Sequence, residues 1–86
     1  MFTDRRWYGF GATVYLTIQS STWLNNAQLF IMNPDGTNMW VSIGQLGPGS
    51  YTMSFYAAPP AGTTDFYLYN NGQYVTFTEV HVGSLV

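Results

Sequence analysis

Acid–base chemistry needs titratable side chains held close together, and this sequence of 86 residues offers three Asp, one Glu and one His for it. Glu79 and His81 are two apart, so on a strand they share a face, where a carboxylate would orient an imidazole as a general base. The same spacing also fits a pair facing solvent or a partner from a terminal strand. Asp35 and Asp65 stand in or beside turns, where an Asp side chain commonly bonds its own backbone. Gly9-Phe-Gly11 lacks the rest of a phosphate-binding fingerprint and precedes a strand, and no nucleophile-elbow motif occurs. Without cysteine and with one histidine, disulfide scaffolds and zinc domains are excluded. The expectation is no enzyme, no cofactor and no metal site.

Binding chemistry is better supplied. Three Trp, seven Tyr and six Phe make up 19% of the chain, beside 26 Asn, Gln, Ser and Thr residues. Rigid aromatic area with adaptable polar groups is the composition of paratopes, and it also suits sugars, whose C–H faces stack on rings. Charge moves the other way. Only Asp4, Arg5, Arg6, Asp35, Asp65 and Glu79 are charged, 7% against about 25% in ordinary domains. A formal net charge of −2 with no basic stripe excludes nucleic acid held by its phosphates. A hydrophobic fraction of 47% excludes disorder. So few charges would leave an isolated monomer colloidally weak, which points to a surface normally covered by other protein.

The elements that position these side chains are strands set off by glycine-centred turns. Ala12 to Gln19 alternates Val14, Leu16 and Ile18 against Thr13, Tyr15 and Thr17. Ser20 to Asn26 breaks the pattern. Gln28 to Met32 and Asn38 to Ile43 form a hairpin around Asn33-Pro34-Asp35-Gly36. Tyr51 to Ala57 is a fourth strand, and Pro59-Pro60 ends it. Asp65 to Tyr69 and a last strand from Gln73 are joined by Asn70-Asn71-Gly72, a strong hairpin signal. In that last strand apolar parity slips between Val75/Phe77 and Val80/Val82, which predicts a bulge at Thr78-Glu79. Phe10 to Ile18 after Asp4 to Arg6 has the outline of a secretory signal, but its alternation is that of a strand. No signal peptide and no transmembrane segment are expected. The fold class is all-β: a small antiparallel β-sandwich, jelly-roll-like, of about six to eight strands and no significant helix. Residues 1–11 read as an N-terminal arm or edge strand, and 12–86 as the single β-sandwich domain.

Strand parity places Trp40, Tyr56, Tyr67 and Tyr69 on outward faces; the alternative is a sandwich that buries both faces of some strands. Arg5, Arg6, Trp7, Tyr8 and Phe10 bring together the residue types of interface hot spots. Trp23, in a polar run, is either a ligand platform or a cap on one end of the core.

Gly49-Ser-Tyr-Thr-Met-Ser-Phe-Tyr-Ala57, a Pro/Gly loop, Asp65-Phe-Tyr-Leu-Tyr69 and Thr76-Phe-Thr-Glu-Val-His-Val-Gly-Ser-Leu85 together resemble the closing strands of galactose-binding-like jelly rolls. Such domains occur as carbohydrate-binding modules and in decoration and fibre proteins of tailed bacteriophages. The resemblance covers about forty residues of the C-terminal half and carries over no sugar or calcium ligand. It implies a non-enzymatic virion structural protein: a phage capsid decoration, or cement, protein on the outer capsid surface. Its expected partners are the major capsid protein and copies of itself, as a homotrimer or other homo-oligomer. The alternative is a carbohydrate-binding module or receptor-binding tip that holds glycans with Trp23, Trp40, Tyr67 and Tyr69.

Overall fold

The computed structural model describes residues 1–83, and among them it contains eight strands and no helix. In chain order these are β1 (Phe2–Thr3), β2 (Trp7–Tyr8), β3 (Thr13–Ser20), β4 (Leu24–Met32), β5 (Asn38–Leu46), β6 (Gly49–Tyr56), β7 (Gly62–Asn70) and β8 (Gln73–Val82). They form a β-sandwich of two sheets, one ordered β1-β3-β6 and the other β2-β8-β7-β4-β5. Every neighbouring pair is antiparallel except β2 and β8. Ser84 and Leu85, which close the jelly-roll-like phrase of the sequence, lie outside the described residues.

Alternation builds the core. Val14, Leu16 and Ile18 of β3 are buried against Leu29 and Ile31 of β4, Phe66 and Leu68 of β7, and Val80 and Val82 of β8. No polar or charged residue is fully buried among the described residues, so the buried core is apolar. Turn chemistry sets the register on both sides of β4. Gly36 N–H donates to the Asn33 carbonyl at 3.0 Å, with Gly36 at φ +87°, and this closes the β4–β5 hairpin. Asn71 at φ 51° and Gly72 at φ 76° give the two left-handed residues of a type I′ turn between β7 and β8.

Two local expectations change. β4 starts at Leu24, well before the alternation is legible, because register shifts flank Ala27 in its pairing with β5. Extra residues there flip the side-chain parity and hide the strand from a period-two reading. The bulge expected at Thr78-Glu79 is absent: Thr78, Glu79 and Val80 pair in register with Phe66, Asp65 and Thr64. The irregularity instead falls between Leu68 and Tyr69, opposite the Tyr74–Thr76 stretch. Phe77 therefore points outward, away from the core, and the parity slip records an apolar residue on the outer face.

The N-terminal segment is an edge of both sheets. β1 pairs with β3, then β2 pairs with β8, so residues 2–8 cross from one sheet to the other along one flank. Asp4 fixes the crossing: its N–H donates to Tyr15 O at 3.1 Å, and its carboxylate accepts from Tyr15 N–H and from the Tyr8 hydroxyl. Those donors, the Tyr8 hydroxyl first, hold the Asp4 carboxyl below its ordinary pKa. Tyr8, expected at an interface, is a core residue only 2% exposed. On a strand lying along β8, Trp7 faces out and the next residue must face in.

Candidate interaction surface

Hairpin register lines up rings on the outer face of the five-stranded sheet. Phe30 on β4 pairs with Trp40 on β5 and with Tyr67 on β7, and Tyr67 pairs with Phe77 on β8. The result is a row of four rings crossing four strands, with successive centroids 4.7, 6.1 and 5.8 Å apart. Adjacent strands lie about 4.8 Å apart, so the row is roughly 15 Å wide. A second row adjoins it, with Tyr69 5.2 Å from Trp40 and 6.1 Å from Tyr74. Trp40, Tyr74 and Phe77 are about half exposed, while Phe30, Tyr67 and Tyr69 are half-buried among their neighbours. Each ring pair at these distances contributes about 0.5–1.5 kcal/mol, so the patch is pre-ordered before anything binds it.

One side of the ladder carries the acidic pair. Asp65 and Glu79 stand directly opposite each other across β7 and β8. Partial burial, then the Glu79 charge, pushes the Asp65 carboxyl above the ordinary range, and Asp65 Oδ1 has no hydrogen-bond partner. The Asp65 charge in turn raises the Tyr67 hydroxyl. Further along, His81 stacks on Trp7, centroids 4.3 Å apart and planes 18° apart, and its Nδ1 lies 3.4 Å from Thr63 Oγ1. Glu79 and His81 share a face as their spacing implies, but Glu79 meets Asp65 while His81 meets an indole and a hydroxyl.

The remaining sequence candidates fall elsewhere. Tyr56, 70% exposed, is on β6 opposite Thr13, in the other sheet and away from the ladder. Trp23, 60% exposed, lies over Gly47, where an added Cβ would come 3.3 Å from the ring, so it sits between the β3–β4 and β5–β6 connections, away from the ladder. Arg5 and Arg6 are exposed between β1 and β2, and Phe10 is half exposed beyond β2. Of the candidates, Trp40, Tyr67 and Tyr69 are brought together, with Trp7 at the far edge of the same face. Phe30, Tyr74 and Phe77 complete the ladder and were not singled out from sequence. Phe30 had a usable signal, since Leu29 and Ile31 beside it have the core parity.

A cleft of about 270 Å³ also opens between the sheets, floored by the core residues Val14, Ile31, Phe66 and Val80. Its one carboxylate, Asp35, accepts from Thr37 N–H at 3.0 Å and from Thr37 Oγ1 at 2.6 Å, and these donors hold its pKa low. No three metal-ligating side chains cluster among the described residues, and no helix among them is long and apolar enough to cross a membrane. No protein-family model matches the chain, and no curated protein matches it either.

Proposed function

We propose that this chain is a non-enzymatic structural protein that works inside an assembly, docking through the outer face of its larger sheet as a decoration protein docks on a virus capsid. The observation that carries the reading is the ladder of Trp40, Phe30, Tyr67 and Phe77, a row of rings open to solvent whose only bordering charges are Asp65 and Glu79 on one side. Soluble monomers seldom leave a contiguous apolar face of this kind to water unless it is an interaction site. A flat, pre-ordered, aromatic sheet face suits a flat protein lattice, where Trp and Tyr supply buried anchors.

A second reading, glycan binding by the same face, is favoured by the polar groups that flank the rings: Gln28 and Ser42 on one side, Asp65 and Glu79 on the other. The rings, however, tilt against one another by 24° to 73°, which gives sugars no level platform.

Density-gradient sedimentation with virus particles from the source of the sequence tests the first reading. The chain is expected in the particle fraction, and the Trp40→Ala/Phe77→Ala variant is expected to leave it while keeping its fold. A chain that stays at the top of the gradient yet binds a glycan array saturably would overturn the first reading and support the second.

A further inference from the structure

The two flanks of the sandwich are finished differently. On one, the long strands β3 and β8 are covered by the two-residue strands β1 and β2, with Asp4, Arg5 and Arg6 beside them. Short edge strands flanked by charge are a standard protection against pairing with another chain. On the other flank the outermost strands are β5 and β6, nine and eight residues long, each last in its sheet. Gly47-Pro48 joins them directly, so both free edges lie on the same side. From Gly36 to Thr64 there is no charged residue, and the proline between the two strands lies in the connection, outside both.

Neither does irregularity protect β5. Its register shifts are confined to the end near Gly44, and Asn38 to Ser42 pair with β4 in five consecutive matches. This straight segment offers an alternating row of N–H and C=O groups on its free side. Side chains of the inner layer also reach solvent here: Met39 on β5 is 50% exposed and Tyr51 on β6 is 44% exposed.

We propose that the β5–β6 flank is a self-association surface, on which the free edge of β5 pairs antiparallel with the same edge of a second copy. Another strand can pair with that whole backbone row, and a two-fold axis presents each copy with a strand of matching length and chemistry. No charge on either edge opposes the approach. Nine residues at about 3.4 Å give a strip about 30 Å long. Across the 16 Å thickness of the molecule this covers roughly 500 Å² on each copy and 1,000 Å² between them, the lower bound for a specific interface. Overlap of all nine residues places the axis at Ser42, the middle residue of β5, and Met39 and Tyr51 would be covered. The inference adds a second surface to the docking reading and stands independently of it.

Charge exchange tests it on the full chain. Asn38 and Ser42 lie on the outer face of β5, and pairing over all nine residues about an axis at Ser42 sets Ser42 opposite Ser42 of the second copy. Wild type is expected at twice the chain mass by light scattering coupled to size exclusion. Asn38→Lys/Ser42→Lys and Asn38→Glu/Ser42→Glu are each expected at the mass of one chain, with unchanged circular dichroism, and their mixture is expected to restore a one-to-one dimer. In parallel, amide exchange of Asn38–Leu46 in the wild type is expected to slow as protein concentration rises. Wild type that remains a monomer at about 1 mM, the weak end of measurable affinity, overturns the proposal. So does a dimer that survives in both charged variants, or exchange at β5 that ignores concentration. A monomer that still enters the particle fraction sinks this inference alone, and a dimer that does not enter it sinks only the docking reading.

Discussion

Leu29 and Phe30 are neighbours on β4 with opposite duties, and truncating each separates core from surface. Leu29 is fully buried and pairs on its strand row with Val41 and Leu68, between the two sheets. Leu29→Ala removes its transfer energy and leaves a cavity, which costs about 3–5 kcal/mol. Total stability for a domain of this length is about 4–13 kcal/mol, so that one change takes a large fraction of it. Phe30 touches Trp40 and Tyr67 on the outer face, two aromatic pairs of about 0.5–1.5 kcal/mol each, so Phe30→Ala costs about 1–3 kcal/mol. At about 4–8 °C per kcal/mol for a domain this size, Leu29→Ala lowers Tm by at least about 12 °C and Phe30→Ala by substantially less. Urea denaturation and thermal melts followed by circular dichroism measure both, and particle sedimentation adds a second axis. Phe30→Ala is expected to lose docking out of proportion to its stability loss. If Phe30→Ala destabilises as much as Leu29→Ala, the outer face is core, and both the ladder as a docking surface and the argument from it fail.

Two further outcomes follow from local geometry. Asp65→Asn removes the like-charge opposition to Glu79; because the folded pKa of Asp65 is raised, its ionisation weakens the fold as pH rises through that value. The variant is therefore expected to be more stable than wild type at pH 7, with the gain fading as the pH falls below the carboxylate range, in melts run at both ends. Gly62 has φ +141°, and an added Cβ would come within 2.8 Å of Pro34, whereas Gly9 has open space around it. Gly62→Ala is expected to destabilise by more than about 1 kcal/mol and Gly9→Ala to stay within about 1 kcal/mol of wild type, read by denaturant midpoint.

The fold was legible where local rules acted alone. Strict alternation marked β3, and Asn-Pro-Asp-Gly and Asn-Asn-Gly marked the two hairpins that now fix the ladder's register. What sequence could not yield was parity across an irregularity. Leu24 to Ala27 looked like loop because shifted pairing breaks the period of two. Val75 and Phe77 carry core-like apolar side chains, although pairing with Tyr67 turns Phe77 outward and Val75 falls at the register shift opposite Leu68 and Tyr69. The N-terminal segment was ambiguous for a different reason. Two-residue strands carry no periodicity, and their partners are distant in sequence, so Tyr8 could not be told from an exposed anchor. Trp40, Tyr67 and Tyr69 were found because each sits on a strand of unbroken alternation.

The pairing of Trp7 and Tyr8 with His81 and Val82 has a consequence for synthesis. A strand made near the beginning of the sequence waits for one made near its end. The flank that β2 seals thus stays open while everything between is translated. During that interval the uncharged stretch from Gly36 to Thr64 has emerged with its edges bare. Pairings between segments so far apart close slowly, and slow closure with bare edges favours contacts between nascent chains. Expression yield should therefore fall more steeply with temperature and translation rate than the stability of the finished protein would indicate.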